Sequence, residues 1–185
     1  MTELHLPPDA DAPEQIEWAG RFITARRRGR WEYVTRARGI RAAVILAIHD
    51  GQVVLVEQYR VPLGRRCLEL PAGLIGDEAG AEDEGVLAAA ARELEEETGF
   101  RAGRLEMLGE FFSSPGMVSE SFFLVRAHDL VRISDGGGLD DESIVVHLLP
   151  LEDIATRLAD MRQAGMGMDV RLMLLLGSAF LGQAA

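Results

Sequence analysis

Two apolar runs joined by a two-residue turn are the feature that most limits how this chain can fold. Residues 42–48 are apolar and partly β-branched, Asp50-Gly51 follows them, and residues 53–59 form a second run. Asp-Gly between apolar runs is a strong short-range signal for a β-hairpin, because both turn residues must take positive φ. We therefore predict a hairpin whose strands are 42–48 and 53–59.

Short strand patterns lie on both sides of this hairpin. Residues 1–15 contain three prolines and several acids, which indicates a loose arm. The turn Arg28-Gly29-Arg30 separates two strand patterns in the next segment. The strands predicted outside the hairpin are 21–26, 31–36, 67–70, 105–112, 122–127 and 144–149.

Helical patterns complete the sequence. The clearest one covers about 84–98 and ends before Gly99, and Leu87, Ala91 and Leu94 recur at the spacing of a buried stripe. Two further helices are predicted at 151–163 and at about 169–181. Strands alternating with one central helix and a helical tail predict an α+β or α/β fold, in which a mixed sheet packs against helices.

Composition and charge exclude several classes of protein. The 185 residues carry a net charge of −11 and one cysteine, Cys67. A phosphate backbone requires clustered positive charge, so we expect no nucleic-acid partner. Cys67 lies in an apolar run, which indicates a buried thiol rather than a nucleophile, and a lone cysteine builds no disulfide framework. Because the longest apolar run is far shorter than a membrane span and residues 1–12 are unlike a signal peptide, we expect no membrane partner and predict a cytoplasmic protein.

The helix predicted at 84–98 carries a cluster of carboxylates. Glu93, Glu96 and Glu97 stand at i, i+3 and i+4, so their side chains share one face. Like charges at this spacing repel each other by a few tenths of a kcal/mol per pair. A solvated acidic surface is one explanation of the cluster. The other is a divalent cation such as Mg²⁺, which prefers carboxylate oxygens and keeps several of its own waters.

The order of residues around these carboxylates resembles a known motif. Residues 92–100, Arg-Glu-Leu-Glu-Glu-Glu-Thr-Gly-Phe, are similar at every position to the second half of the Nudix box, R-E-U-x-E-E-x-G-U with U apolar. Seven residues separate Glu84 from Arg92, as in that box, and Pro71-Ala72-Gly73-Leu74-Ile75 resembles its opening. Ten residues lie between Gly73 and Glu84 where the family has five, which indicates an insertion in the loop 76–83.

This resemblance implies both a fold and a chemistry. The fold is an α/β/α sandwich of the α+β class, a mixed β-sheet flanked by helices. The chemistry is hydrolysis of a nucleoside diphosphate linked to another moiety, with one to three Mg²⁺ or Mn²⁺ ions that neutralise the pyrophosphate and activate a water. Glu84 and Arg92 take structural roles, and Glu96 a catalytic one. The implied metal ligands are Glu93, Glu96, Glu97 and the backbone carbonyl of Ala72.

Sequence outside the box resembles the ADP-ribose and nucleotide-sugar branch of the family. The similar segments are 56–60, Val-Glu-Gln-Tyr-Arg, 68–73, Leu-Glu-Leu-Pro-Ala-Gly, and Pro115, sixteen residues beyond Gly99. The branch implies cleavage of ADP-ribose to AMP and ribose 5-phosphate. Other nucleotide sugars, such as GDP-mannose or UDP-glucose, remain open as substrates, as does a catalytically inactive Nudix domain that senses a ligand. The three intact glutamates favour an enzyme.

The branch also implies a homodimer that binds the base with N-terminal strands, partly those of the other subunit. On this basis residues 1–40 are an arm and a small strand subdomain for dimerisation and base binding, and residues 41–185 are the catalytic domain. Phe22 and Trp31 are the implied stacking pair, although Trp31 as a core or interface aromatic remains open. The other implied substrate contacts are Glu32, Arg36, Arg60, Leu74, Ser114 and Glu120.

The resemblance finally implies a glutamate base on a loop between late strands. Asp140-Asp141-Glu142 occupies that place, after three glycines at 136–138 that we interpret as a hinge. We predict Glu142 as the base, with Asp140 and Asp141 as alternatives. A solvated loop carboxylate is the competing interpretation of Glu142.

Overall fold

The computed structural model describes residues 6–37, 39–76, 84–139 and 142–180. The helices in these ranges are α1 (Val86–Thr98), α2 (Ile154–Gln163) and α3 (Met173–Phe180). The strands are β1 (Glu14–Ala19), β2 (Ile23–Arg28), β3 (Trp31–Arg36), β4 (Ala42–His49), β5 (Gln52–Arg60), β6 (Arg65–Glu69), β7 (Ala72–Leu74), β8 (Phe100–Phe112), β9 (Ser121–Arg132), β10 (Val145–Pro150) and β11 (Gly167–Met168). None of the helices in the described ranges has the length and apolarity needed to cross a membrane.

The predicted central hairpin is confirmed as β4 and β5. Asp50 and Gly51 both take positive φ, 48° and 75°, and His49 pairs with Gln52 across the turn. The strands then separate, because β4 continues beside β9 in parallel and β7 in antiparallel, whereas β5 pairs with β6 and β10. The main sheet is therefore mixed, with the order β11-β6-β5-β4-β9-β8.

Helices cover the two faces of this sheet, as expected for an α/β/α sandwich. Side chains of β4 alternate between the faces. Ala43 and Ile45 pack in the core beneath α1 with Leu94, while Val44 packs in the second core with Leu158 of α2. The predicted fold class, a mixed sheet with flanking helices, is confirmed.

The stripe that α1 buries differs from the predicted one. Leu94 is fully buried as expected, but Leu87 is 42% exposed. The helix instead buries Ala89, Ala90 and Glu97. Two small alanines let the helix approach the sheet closely, and the approach carries the Glu97 carboxylate into the interior.

The N-terminal strands form a separate three-stranded antiparallel sheet, β1-β2-β3. Residues 14–19 belong to β1, so the prediction of a loose arm over 1–15 was wrong at its end. Every residue of β1 is exposed, and ion pairs to β2 support it, Glu14 with Arg26 and Glu17 with Arg27. Ile16 and Trp18 alternate with polar residues in this strand, but both side chains are exposed, so the alternation does not mark a face that packs on the core.

The boundaries of several other elements also differ from the predicted ones. Strands β8 and β9 extend beyond the predicted 105–112 and 122–127, because the two strands pair from Phe100–Arg132 to Phe112–Ser121 with many exposed residues. Each C-terminal helix begins with a short 3-10 turn, Leu151–Asp153 and Val170–Leu172. Residues 1–5, 77–83 of the predicted insertion, and 181–185 lie outside the described residues.

The glycine segment at 136–138, which the sequence suggested as a hinge, packs against the C-terminal end of helix α1. The N–H of Gly137 donates to the carbonyl of Glu97 at 2.9 Å, and the N–H of Gly138 donates to that of Glu96 at 3.0 Å. A Cβ on Gly136 would lie 2.4 Å from the carbonyl carbon of Thr98. The segment is thus packed against the end of the helix that carries the glutamates.

We expect Gly136→Ala to destabilise the protein more than Gly51→Ala does. Both glycines have positive φ, 69° and 75°, which costs an alanine about 1–2 kcal/mol. A Cβ on Gly51 meets nothing within 4 Å, whereas one on Gly136 overlaps the helix end and adds about 1–3 kcal/mol. Urea denaturation of the two variants measures the difference, and equal losses would contradict the packing of this segment.

Candidate active site

A cavity of about 460 Å³ opens where α1 meets β7 and the ends of β3 and β5. It collects charged side chains from distant parts of the chain. The carboxylates that line it are Glu93, Glu97, Glu120, Glu142 and Asp169, and the guanidinium groups are Arg36, Arg60 and Arg171. Ala72, Gly73 and Leu74 of β7 form part of its wall.

The buried carboxylate of Glu97 joins α1 to the sheet. Its side chain is held by the N–H of Ala72, which donates to Oε2 at 2.9 Å, and the residue is only 4% exposed. Burial raises the pKa of Glu97 to about 8, the Ala72 hydrogen bond opposes that rise, and the negative charges of Glu93 and Glu142 add to it. Positive charge is therefore favoured at this point of the cavity, from a proton or from a cation.

Glu93 lies directly against the backbone of β7. A Cβ on Gly73 would fall 1.8 Å from Cδ of Glu93, so a side chain at position 73 and this carboxylate position exclude each other. The glycine of the motif opening is thus required by close approach of the strand to the helix carboxylate.

Arg92 fixes the other glutamates. Its Nη1 donates to Glu93 at 2.8 Å and to Glu96 at 3.2 Å, and its Nε donates to Glu84 at 3.2 Å. Hydrogen bonding from Arg92 lowers the pKa of Glu84, and Arg92 also reaches the carbonyl of Leu74 at 3.3 Å. The contacts are those of an orienting arginine with a supporting carboxylate, in agreement with the structural roles predicted for Arg92 and Glu84.

A divalent cation fits the donor set chemically. Carboxylate oxygens suit Mg²⁺ or Mn²⁺, and a cation beside Glu97 would offset the burial and the repulsion that raise its pKa. In the ranges that the structure describes, no three carboxylate, imidazole or thiolate groups surround one point at ligand distance. Glu96 is turned towards Arg92 and is absent from the described lining, while Glu93 and Glu97 line the cavity. Binding of one ion by all three glutamates therefore requires a change in their side-chain positions.

Two of the guanidinium groups that line the cavity are held in ion pairs. Arg60 makes a two-pronged pair with buried Glu69, with Nε at 2.6 Å and Nη2 at 2.8 Å from its oxygens. Arg36 of β3 pairs with Glu120, Nε to Oε1 at 2.5 Å. The structure thus brings the predicted substrate contacts Arg36, Arg60 and Glu120 to one cavity.

Several charged or polar residues here were missed in the sequence. Ser113 lines the cavity and the predicted Ser114 does not, within the described residues. Gln58, Asp169 and Arg171 also line it. One sequence signal could have revealed the missed arginine. Glu69 is a single charge inside the apolar run Cys67-Leu68-Glu69-Leu70, and a buried carboxylate predicts a cationic partner.

The predicted base-stacking residues do not reach this cavity within one chain. Phe22 and Trp31 are 66% and 53% exposed. Trp31 begins β3 opposite Arg28, while Phe22 precedes Ile23, which pairs with Arg36 at the other end. Five residue steps along a strand separate these ends by about 17 Å. Glu32 lies beside Trp31 in β3 and is likewise outside the lining found among the described residues.

Glu142 reaches the cavity from the segment that follows the glycine cap. Its Oε2 accepts the N–H of Leu139 at 2.9 Å, and its charge contributes to the raised pKa of Glu97. Arg66 anchors the next residue by donating to the carbonyl of Ser143 at 3.1 Å. The alternatives Asp140 and Asp141 lie outside the described residues.

Cys67 takes no part in the site. The thiol is buried as predicted, and burial raises its pKa to about 11, with further rises from the negative charges of Glu69 and Asp169. It stays protonated at neutral pH, which is the opposite of what a nucleophilic cysteine needs.

Comparisons with known proteins agree with this arrangement. A family profile described as "NUDIX domain" matches residues 38–167. An ADP-ribose pyrophosphatase of Bacillus subtilis (strain 168) is 39% identical over 124 residues, which cover 66% of this chain and 64% of that protein. A GDP-mannose pyrophosphatase of Klebsiella pneumoniae is 38% identical over 132 residues, with the same shares of 66% and 64%. The chain thus spans slightly less than two thirds of the length of these two curated relatives.

A solved structure shares the fold over nearly the whole chain. The crystal structure of an ADP compounds hydrolase superposes with a TM-score of 0.66 and 26% sequence identity. The match covers 93% of this chain and 94% of that one.

We expect the stability of the metal-free protein to fall with rising pH because of Glu97. A carboxyl with a folded pKa of about 8, against an ordinary 4.5, holds its proton more tightly in the folded state. Its contribution is complete below pH 4.5 and is lost as the pH rises through 8. Glu97→Gln removes this dependence, so its free energy of unfolding should change less over that window and exceed the wild-type value at pH 8.

Urea denaturation in EDTA buffers between pH 5 and pH 8.5 measures this difference. The exposed Glu152, changed to Gln, is the matched control and should follow the wild-type profile. Parallel profiles for wild type and Glu97→Gln would show that Glu97 is ionised normally.

Proposed function

Because the chain belongs to the NUDIX family, which its match over residues 38–167 shows, we propose that it hydrolyses the diphosphate bond of ADP-ribose to AMP and ribose 5-phosphate. The observation that carries this proposal is one cavity that collects both carboxylates and guanidinium groups. Glu93 and Glu97 of α1 line it together with Arg36 and Arg60. A diphosphate needs both kinds of group, because guanidinium groups bind its oxygens and carboxylates bind the metal that accompanies it.

The metal requirement is part of the proposal. One to three bound Mg²⁺ or Mn²⁺ ions would supply charge neutralisation and an activated water. Glu93, Glu96 and Glu97 are the proposed ligands, with the carbonyl of Ala72. The N–H of Ala72 holds one oxygen of Glu97 and Arg92 contacts Glu93, so these two ligands are positioned in the cavity before any ion arrives, while Glu96 is held by Arg92.

Substrate binding and proton transfer fall to other residues of the site. Arg60 and Arg36 would hold phosphate oxygens, since a guanidinium presents a fork of donors that matches them. Leu74 and Glu120 line the cavity as further proposed contacts, and Ser114, the neighbour of the lining residue Ser113, is proposed from the resemblance. Glu142 is the proposed base that accepts the proton of the attacking water, because it lines the cavity close enough to affect Glu97.

Another nucleotide sugar is the second candidate substrate. The similarity to a GDP-mannose pyrophosphatase, at 38% identity, favours GDP-mannose in particular. UDP-glucose remains the other candidate from the sequence. A ligand-sensing domain without activity is disfavoured. A sensor has no need of the carboxylates of Glu93 and Glu97 placed so close together that the charge of one raises the pKa of the other.

We also propose that residues 1–40 serve dimerisation and base binding, and residues 41–185 catalysis. Phe22 and Trp31 lie at opposite ends of the β2–β3 hairpin, so stacking one base between them requires residues from two chains of a homodimer. The N-terminal sheet supports this by exposing large apolar side chains, among them Ile16, Trp18 and Trp31. A cytoplasmic location also remains a proposal from the sequence.

A product assay over a substrate panel tests the proposed function. Wild-type protein should release AMP from ADP-ribose with added Mg²⁺ and not in EDTA. Glu97→Gln should lower kcat by at least about a hundredfold, because one ligand charge is lost, while Glu152→Gln keeps wild-type turnover. Faster turnover of GDP-mannose would favour the second substrate, and metal-independent activity or an active Glu97→Gln would contradict the metal site.

We expect Trp31→Ala to raise KM for ADP-ribose with little change in kcat. Stacking on a base is worth about 1–3 kcal/mol and acts far from the reacting phosphorus, so KM should rise roughly five- to 150-fold. Val131→Ala, which shortens a similarly exposed apolar side chain of β9 outside the N-terminal sheet, is the control and should leave KM unchanged. Gel filtration must show the dimer intact. An unchanged KM would exclude the stacking role, and dissociation would identify Trp31 as an interface residue.

A further inference from the structure

Two residues beyond the matched NUDIX region reach the cavity. The match ends at residue 167, yet Asp169 and Arg171 line the cavity with Arg60. Strand β11 brings them there by pairing in parallel with β6, Gly167 beside Cys67 and Met168 beside Leu68.

The chain continues along the same line after β11. The N–H of Asp169 donates to the carbonyl of Leu68 at 3.1 Å. The segment 169–171 therefore lies next to Glu69, the last residue of β6.

The Arg171 side chain is held rigidly by two carboxylates. Its Nε and Nη2 donate to the two oxygens of Asp169 at 2.6 and 2.7 Å, and Nη2 also lies 3.3 Å from Glu69. Asp169 accepts the backbone N–H of Arg171 at 2.7 Å as well, which fixes the start of the 3-10 turn. The side chain is only 19% exposed and lies near the Phe122 ring. An arginine held in this way loses little further entropy when it binds a ligand.

Glu69 is shared by two guanidinium groups. Arg60 takes both of its oxygens, and Arg171 shares one of them. Within the described part of the chain, Nη1 of each arginine has no hydrogen-bond acceptor. Both side chains line the cavity, so these two amino groups are donors that a ligand there could use.

We propose that Arg171 is a substrate-binding residue, which forms with Arg60 a two-arginine clamp for a phosphate oxygen of the diphosphate. Glu69 and Asp169 are the positioning residues of this clamp, because they hold the guanidinium planes without touching the anion. Guanidinium groups suit this task, since charge-assisted bonds from a planar fork match phosphate geometry. The inference rests on the proposed function, and it adds a contact from outside the matched region.

Binding of inorganic pyrophosphate in EDTA tests the clamp without any turnover. Calorimetric titration compares wild type with Arg171→Gln and with Arg157→Gln, a matched control that removes an exposed arginine paired with Asp153 on α2. We expect Arg157→Gln to bind as wild type does, and Arg171→Gln to bind roughly ten- to hundredfold more weakly. Equal affinity of Arg171→Gln and wild type, or no binding by wild type, overturns the clamp.

Arg171→Lys separates loss of the clamp from loss of the fold. The lysine keeps a positive charge beside Asp169 and Glu69 but lacks the fork, so it should melt near the wild-type temperature and still bind pyrophosphate at least about fivefold more weakly. Wild-type affinity in this variant overturns the proposal.

The substrate panel distinguishes the clamp from the proposed function. A wild type that hydrolyses no nucleotide sugar but binds pyrophosphate through Arg171 refutes the function and supports the clamp. Turnover of ADP-ribose with an unchanged KM in a folded Arg171→Gln refutes the clamp alone.

Discussion

The hydrogen bond from the N–H of Ala72 to the buried carboxylate of Glu97 is the contact on which the rest of the site depends. It joins α1 to β7 at 2.9 Å and places a carboxyl with a raised pKa inside the interface. Close approach of the two elements follows from it, and Gly73 is needed there because Glu93 occupies the space of a side chain. At the end of the helix, the glycine segment at 136–138 fits against the carbonyls of Glu96 and Glu97. One helix is thus fixed at its side and at its end.

Charge is arranged around this contact in opposing groups. Arg92 holds Glu84, Glu93 and Glu96 on the helix side, so like charges stay close together without a bound ion. In the same cavity, buried Glu69 holds Arg60 and also contacts Arg171. A cavity lined by both carboxylates and guanidinium groups suits a ligand that is itself an anion and carries a cation, because each kind of charge then meets its opposite. Ion pairs also stabilise the N-terminal sheet, where glutamate–arginine pairs rather than a hydrophobic core hold β1.

Much of the fold could be predicted because its central elements are periodic. The Asp50-Gly51 turn and the apolar runs beside it encode the hairpin locally, and helix α1 has a clear C-terminal glycine. Prediction failed where pairing replaces burial. Strand β1 and much of β8 and β9 are exposed, so their limits are set by pairing with a neighbouring strand and not by an apolar face that packs on the core. The buried stripe of α1 was misplaced because Glu97, a charged residue, lies inside it.

The sequence by itself determined which chemical groups are available and which share a helix face. Glu93, Glu96 and Glu97 follow from a spacing of three and four residues, which is fixed by helix geometry alone. Only the tertiary structure decided which of them reach the cavity. Arg92 donates a hydrogen bond to Glu96, and the N–H of Ala72 donates one to Glu97. The tertiary structure also decided which guanidinium groups lie together in the cavity. Arg60 and Arg171 are 111 positions apart and meet only through the pairing of β11 with β6. Local spacing constrains neighbours along the chain, whereas contacts between distant segments depend on how the strands pair.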